Sequence, residues 1–127
     1  MCSIRFPIFS CFKSLYVQKL DPNGWNTDGL LRNVDCNVIL VDWFRGGFPP
    51  YLQAAGNTRL VGAIIAELIK FLISQTQSSP GLYHIVGFSL GSHIAGYAGS
   101  RLQQDGLMLG RITGNFHTWS AFEFSGV

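Results

Sequence analysis

Along the chain a strand-like pattern gives way to a helix-like one, and the change happens twice in succession. Asn37-Val38-Ile39-Leu40-Val41-Asp42-Trp43 is a short, nearly continuous apolar run. Closed by polar and glycine residues, it predicts a strand buried on both faces of a parallel sheet. Gly46, Gly47, Pro49 and Pro50 supply the loop that follows. From Gln53 to Gln75 the period becomes 3.6. Val61, Ile64, Ile65, Leu68 and Leu72 recur at helical spacing, while Arg59, Glu67 and Lys70 lie off that face. Ser78, Ser79, Pro80 and Gly81 break this helix. A second buried strand is expected at Leu82 to Phe88, then a glycine-rich turn and a second helix from Leu90 to Gln104. Leu109 to Thr113 is the candidate for a third strand. The order strand, helix, strand, helix, strand predicts an α/β fold with right-handed crossovers and a parallel sheet.

On either side the pattern is weaker. Residues 1–34 hold no sustained period and contain the turn cluster Asp21-Pro22-Asn23-Gly24, so they read as a poorly specified N-terminal segment. Residues 35–114 form the patterned core, and 115–127 a divergent tail.

Composition narrows the function. The chain has 127 residues with 13% charged and 47% hydrophobic, against about 25% charged in an average soluble domain. Too much of it wants burial for its length, and it reads like the inside of something larger. A net charge of +2, with basic residues scattered, leaves no footprint for nucleic acid. The apolar stretch Leu60 to Ile73 is broken by Glu67 and Lys70, so no transmembrane span is expected. Cys2, Cys11 and Cys36 form neither a CxxC pair nor a zinc spacing and read as small buried hydrophobes; no metal or cofactor is implied. Arg5 and Lys13 interrupt the N-terminal apolar residues and no small-residue cleavage site follows, so no signal peptide is read there.

The candidate chemistry sits at one turn. Gly87-Phe88-Ser89-Leu90-Gly91 is a GxSxG pentapeptide between an expected strand and an expected helix, the context a nucleophile elbow requires. Glycines are needed because side chains flanking a serine at so sharp a turn would collide with strand and helix. Such a turn exposes the Ser89 hydroxyl at the sheet's carboxyl edge and aims the Leu90 N–H at an oxyanion formed there. Small residues continue at Gly87, Gly91, Ala95 and Gly99, which lets the helix lie close on the sheet. The alternative is a glycine-rich turn without chemistry. A phosphate loop is disfavoured, since neither GxGxxG nor GxxxxGK[ST] is present.

The stretch IVGFSLGSHIAGYAGSRL followed by GRITG resembles the elbow and helix of the pancreatic-lipase-type family of serine lipases. DCNVILVDW and YLQAAGNTRLVGA resemble that family's preceding strand and helix, in the same order. The resemblance implies a partial α/β-hydrolase fold with a strand–nucleophile elbow–helix unit. It also implies hydrolysis of triglyceride or phospholipid esters, a lipid surface as partner and a secreted, extracellular setting. By it Ser89 takes the nucleophile position and Leu90 gives one oxyanion-hole amide. Phe88 stands where many members have His, at a position that is not catalytic.

The pattern then departs from the family. The family runs from GRITG into a Leu-Asp-Pro segment that carries the triad Asp, whereas Phe116 stands at the place of that carboxylate here. The family's His lies many tens of residues further on, so neither triad partner is found. His117 and Glu123 do not meet the demands of a rebuilt triad, which needs an oriented base within hydrogen-bond reach of the hydroxyl. His84 and His93 read as packing or surface residues. Asn23-Gly24-Trp25 is an altered copy of the family's second oxyanion loop, with the Trp25 amide as donor, or else that loop is absent. The two functional expectations are a lipase-type carboxylester hydrolase with little activity as this chain alone, and a non-catalytic chain that binds lipid or protein through apolar surface.

Overall fold

A computed structural model describes residues 13–18, 32, 35–47, 50–115 and 121–124. Five strands and three helices make up the described fold: β1 (Lys13–Gln18), β2 (Asn37–Asp42), α1 (Phe44–Gly47), α2 (Tyr51–Thr76), β3 (Tyr83–Phe88), α3 (Leu90–Gln104), β4 (Arg111–Asn115) and β5 (Ala121–Phe124). A single 3-10 turn, Pro80–Leu82, leads into β3. The sheet order is β2-β1-β3-β4-β5, with the first four strands parallel and β5 antiparallel to β4.

Strands β2, β3 and β4 and helices α2 and α3 fall where the hydrophobic pattern places them. β1 and β5 do not. β1 lies inside the segment read as poorly specified, yet it occupies the middle of the sheet, between β2 and β3. Its one local signal is Ser14-Leu15-Tyr16-Val17, four residues of alternating polarity between Lys13 and Gln18. So short an alternation is not separable from chance without the neighbours that pair with it.

Connections β2→β3 and β3→β4 advance across the sheet in the same direction. Two right-handed crossovers running the same way place both helices on one face. One core results, in which Ile65, Ala66 and Ile69 of α2 and Ile94, Ala95, Ala98 and Leu102 of α3 meet Tyr83 and Ile85 of β3. Burial along β3 accordingly alternates: Tyr83, Ile85 and Gly87 are buried, His84, Val86 and Phe88 half-buried. The expectation of strands buried on both faces is therefore corrected. On the second face Leu40 of β2 is 56% exposed, and the described residues form no second buried cluster there.

Helix α2 also differs from its expected face. Of the apolar residues at 3.6 spacing, Ile65 is buried and Val61, Leu68 and Leu72 pack half-buried against the core, but the fully buried line runs through Ala54, Thr58, Gly62, Ile65, Ala66 and Ile69. Ile64 is 58% exposed. The reason is the partner. α2 packs along α3, and small residues mark the line of closest approach. A Cβ on Gly62 would stand 2.7 Å from the Tyr97 Cβ and 3.0 Å from the Ile94 carbonyl oxygen. Large apolar residues would hold the helices apart there, so the contact line is read from small side chains rather than from hydrophobicity.

Polar groups close the rim of this helix pair. The Arg59 Nε donates to the Tyr97 hydroxyl at 3.3 Å, with the guanidinium 5.6 Å from the ring centre. Lys70 bridges Glu67 at 2.6 Å and Asp105 at 2.8 Å, and the pairing holds Asp105 below the usual carboxylate range. α2 ends on Gln77, whose left-handed conformation (φ 53°) lets its N–H reach the Ile73 carbonyl at 2.8 Å. Beyond it, Ser78 Oγ lies 2.7 Å from Thr76 Oγ1 and 2.8 Å from the buried Tyr83 hydroxyl, tying the helix end to the start of β3.

Two measurements check this packing. Ile69→Ala should lower stability by about 2–5 kcal/mol, whereas Ile64→Ala should stay within about 0.5 kcal/mol of wild type. Equal losses would mean that α2 is turned about its axis, with Ile64 facing the core. His84 supplies the second. Its Nε2 lies 2.9 Å from Thr113 Oγ1, and burial, with the positive charge of Arg111, holds the imidazole below its ordinary value. The unfolded chain therefore binds this proton more readily, and the His84 contribution falls as pH drops below about 6.5. Urea unfolding of wild type and His84→Gln between neutral pH and about pH 5 should show a shallower acid loss in the variant. Identical slopes would remove His84 as the cause.

Candidate active site

Parallel strands that leave the sheet in opposite directions open a crevice at their carboxyl ends. Here the chain leaves β1 toward β2 on one side, and leaves β3 toward β4 on the other, although β1 and β3 are neighbours. Ser89 is the first residue beyond β3, so it stands beside this switch point, and it is exposed.

Close approach dictates the turn that carries it. Strand β3 ends at Phe88 and α3 begins at Leu90, leaving a single residue to reverse the chain. A Cβ on Gly87 would overlap the Gly91 carbonyl group and stand 2.7 Å from the Ser92 Cα, all of it backbone that cannot yield. Only glycine fits. The reversal falls on Ser89, which adopts φ 53° and ψ −122°. For a residue with a side chain this region costs about 1–3 kcal/mol and persists only where its surroundings enforce it.

Ser92 provides that enforcement. Its N–H donates to the Ser89 carbonyl at 2.9 Å, and its buried hydroxyl donates to the Gly87 carbonyl at 3.0 Å. Strand end, turn and first helical turn are thus joined through one side chain. Sequence reasoning passed over Ser92, because a serine at the third helical position is common and carries no pattern of its own. Further along α3, a Cβ on Gly99 would overlap the end of the Ile112 side chain, and Ala95 is fully buried. The small-residue line Gly87, Gly91, Ala95 and Gly99 does hold α3 close to the sheet.

At the start of α3 the backbone N–H groups of Leu90 and Gly91 precede the first repeating helical bonds, and no acidic residue lies in the first turn. The positive end of the helix dipole therefore meets the Ser89 position without a competing carboxylate.

The other residues singled out from sequence do not converge on this point. His84 sits five residues back along β3, about 16 Å at strand rise, and turns to Thr113. His93 is exposed on α3. Glu123 takes the register position opposite Thr113 on β5, two positions short of the carboxyl end of β4. Trp25, Phe116 and His117 lie outside the described residues. Among the described residues no three His, Cys, Asp or Glu gather as metal ligands, and no helix is long and apolar enough to cross a membrane. Cys36 stands just before β2, its thiol raised by burial and by Asp35.

Comparison with known proteins agrees with the geometry. The family model for Lipase matches residues 22–123. Pancreatic lipase-related protein 2 of Mus musculus is 51% identical over 94 residues, covering 72% of this chain and 19% of that protein. Pancreatic lipase-related protein 3 of Homo sapiens is 39% identical over 114 residues, covering 83% of this chain and 23% of that protein. Inactive pancreatic lipase-related protein 1 of Mus musculus is 48% identical over 102 residues, covering 78% and 20%. The chain thus spans about a fifth to a quarter of the length of these relatives. Matched by the family model over most of its length, the chain belongs to the pancreatic lipase family.

Proposed function

We propose that this chain carries the nucleophile portion of a lipase-type carboxylester hydrolase, with Ser89 as the attacking residue. One observation carries the reading: a non-glycine residue held at φ 53°, exposed at the switch point of the sheet, in the GxSxG of a lipase-family chain. Strain of this kind persists where function requires it. The strand, the turn as nucleophile elbow and the helix are the corresponding unit of an α/β-hydrolase fold. Its core fragment is residues 35–114 together with β1, which enters the sheet from the preceding segment, and β5 adds an antiparallel edge from the following one.

In this reading the Ser89 hydroxyl attacks the ester carbonyl of a triglyceride or phospholipid. The Leu90 N–H donates to the developing oxyanion, and the amide of Trp25 is the candidate second donor. Ser92 holds the turn still while charge builds. A base must take the Ser89 proton, and the sequence has Phe116 at the position of the family's acid and no His matched to the family's base. Loss of the base alone removes about 10⁶ in turnover from a serine triad, so the chain by itself turns over little. Its setting is extracellular by family. A second reading is a non-catalytic lipase relative that binds lipid or protein through apolar surface. It is favoured by the exposed Leu52, Leu60, Ile64 and Phe71 of α2 and by the 48% identity to a relative named inactive.

Hydrolysis of a short-chain p-nitrophenyl ester by wild type and Ser89→Ala tests the first reading. Slow turnover above buffer that vanishes in Ser89→Ala supports it, and equal rates in the two proteins defeat it. The second reading predicts saturable binding to phospholipid vesicles or to a protein partner, unaffected by Ser89→Ala. Absence of both kinds of binding removes it.

A further inference from the structure

Serines and threonines inside a helix ordinarily turn their hydroxyls back to a carbonyl three or four residues earlier in the same helix. Thr58, Ser74 and Thr76 of α2 do this, donating to the carbonyls of Ala55, Phe71 and Leu72 at 2.6, 2.7 and 2.7 Å. Ser92 of α3 does not. The residue is buried, and its hydroxyl passes over the carbonyls of Ser89 and Phe88 to donate to Gly87, which belongs to β3. The bond closes no turn of the helix. It fastens the first turn of α3 to the strand.

A second bond gives this fastening a direction. The Ser92 N–H donates to the Ser89 carbonyl at 2.9 Å. That carbonyl and the Leu90 N–H share one peptide plane, in which they point opposite ways. With the carbonyl held along the helix, the Leu90 N–H points back out of its start, on the side of the Ser89 turn. Any rotation of this plane swings the N–H against the serine side chain.

We infer that Ser92 is a positioning residue for the hydrolysis proposed above, and the inference rests on that reading. Its hydroxyl pins Ser92 to β3, and its N–H pins the plane between Ser89 and Leu90. Together the two bonds fix the Leu90 N–H relative to the Ser89 oxygen. Alanine at this position keeps the backbone bond but frees the residue that makes it. The loss falls on the oxyanion as it forms rather than on the bound ester, because only then does the N–H face a developing charge. Ser92 therefore acts on kcat and leaves KM alone.

Steady-state hydrolysis of a short-chain p-nitrophenyl ester by the full chain tests this, in wild type, Ser92→Ala, Ser92→Thr, Ser92→Cys, Thr58→Ala and Ser89→Ala. Circular dichroism fixes the folded fraction of each. Ser92→Ala should lower kcat per folded molecule about tenfold, with KM within about twofold of wild type. Ser92→Thr keeps the hydroxyl and should return kcat to within about threefold of wild type. Ser92→Cys, whose S–H is a weaker donor of similar size, should fall between the two, and it decides the question should the alanine variant not fold. Thr58 is also buried, but its hydroxyl bonds within α2, so Thr58→Ala should cost stability and leave kcat unchanged. Wild-type turnover no faster than that of Ser89→Ala defeats the lipase reading, and this inference with it. Ser89-dependent turnover whose kcat is unmoved by Ser92→Ala and Ser92→Cys, a rise in KM alone, or an equal fall in Thr58→Ala overturns the inference and leaves the lipase reading standing.

Discussion

Everything at the carboxyl edge of this sheet depends on how closely α3 approaches β3. The two elements are joined through one residue, and the backbone of Gly91 and Ser92 occupies the space a side chain on Gly87 would need. This closeness forces the reversal onto Ser89 and holds it at a positive φ of 53°. The same closeness places the start of α3, with its positive dipole end, directly beside the serine hydroxyl. α3 in turn offers the surface on which α2 settles at Gly62, so the core is organised outward from the turn.

Much of this is legible in the sequence, because glycine spacing is a direct record of close approach. Gly91, Ala95 and Gly99 mark the inner line of α3, and Gly87 the strand end it meets, by their spacing alone. The strand–helix alternation between Asn37 and Thr113 marks the parallel core. Hydrophobic periodicity serves less well wherever the partner is another helix. α2 buries Thr58, Gly62 and Ala66 and leaves Ile64 in solvent, since residues that permit contact need not be large or apolar. β1 is illegible for a different reason. A six-residue strand gains its stability from both neighbours, which lie more than 15 residues away in sequence, and local pattern does not report them.

The candidate site divides along the same line. Ser89 and Leu90 are legible because the GxSxG pattern brackets them and Gly87 has no room for a side chain. Ser92 is not, since its task is a buried hydrogen bond to the Gly87 carbonyl, which any polar residue of that size and place could suggest. The histidines take the packing and surface places their spacing suggests: His84 lies well back from the turn, engaged with Thr113, and His93 faces solvent. Among the described residues the exposed Ser89 stands at the turn with no histidine or carboxylate brought to it.

If the tight turn stores strain in order to present Ser89, removing the side chain beyond Cα should release it. Thermal unfolding of Ser89→Gly against Ser89→Ala isolates this, because both variants lack the hydroxyl and only glycine is at ease at φ 53°. Relief of about 1–3 kcal/mol, set against about 0.4–1 kcal/mol of added unfolded-state entropy, should leave the glycine variant more stable by about 1 kcal/mol. An alanine variant as stable as the glycine variant, or more so, would contradict the claim that the turn is strained at Ser89.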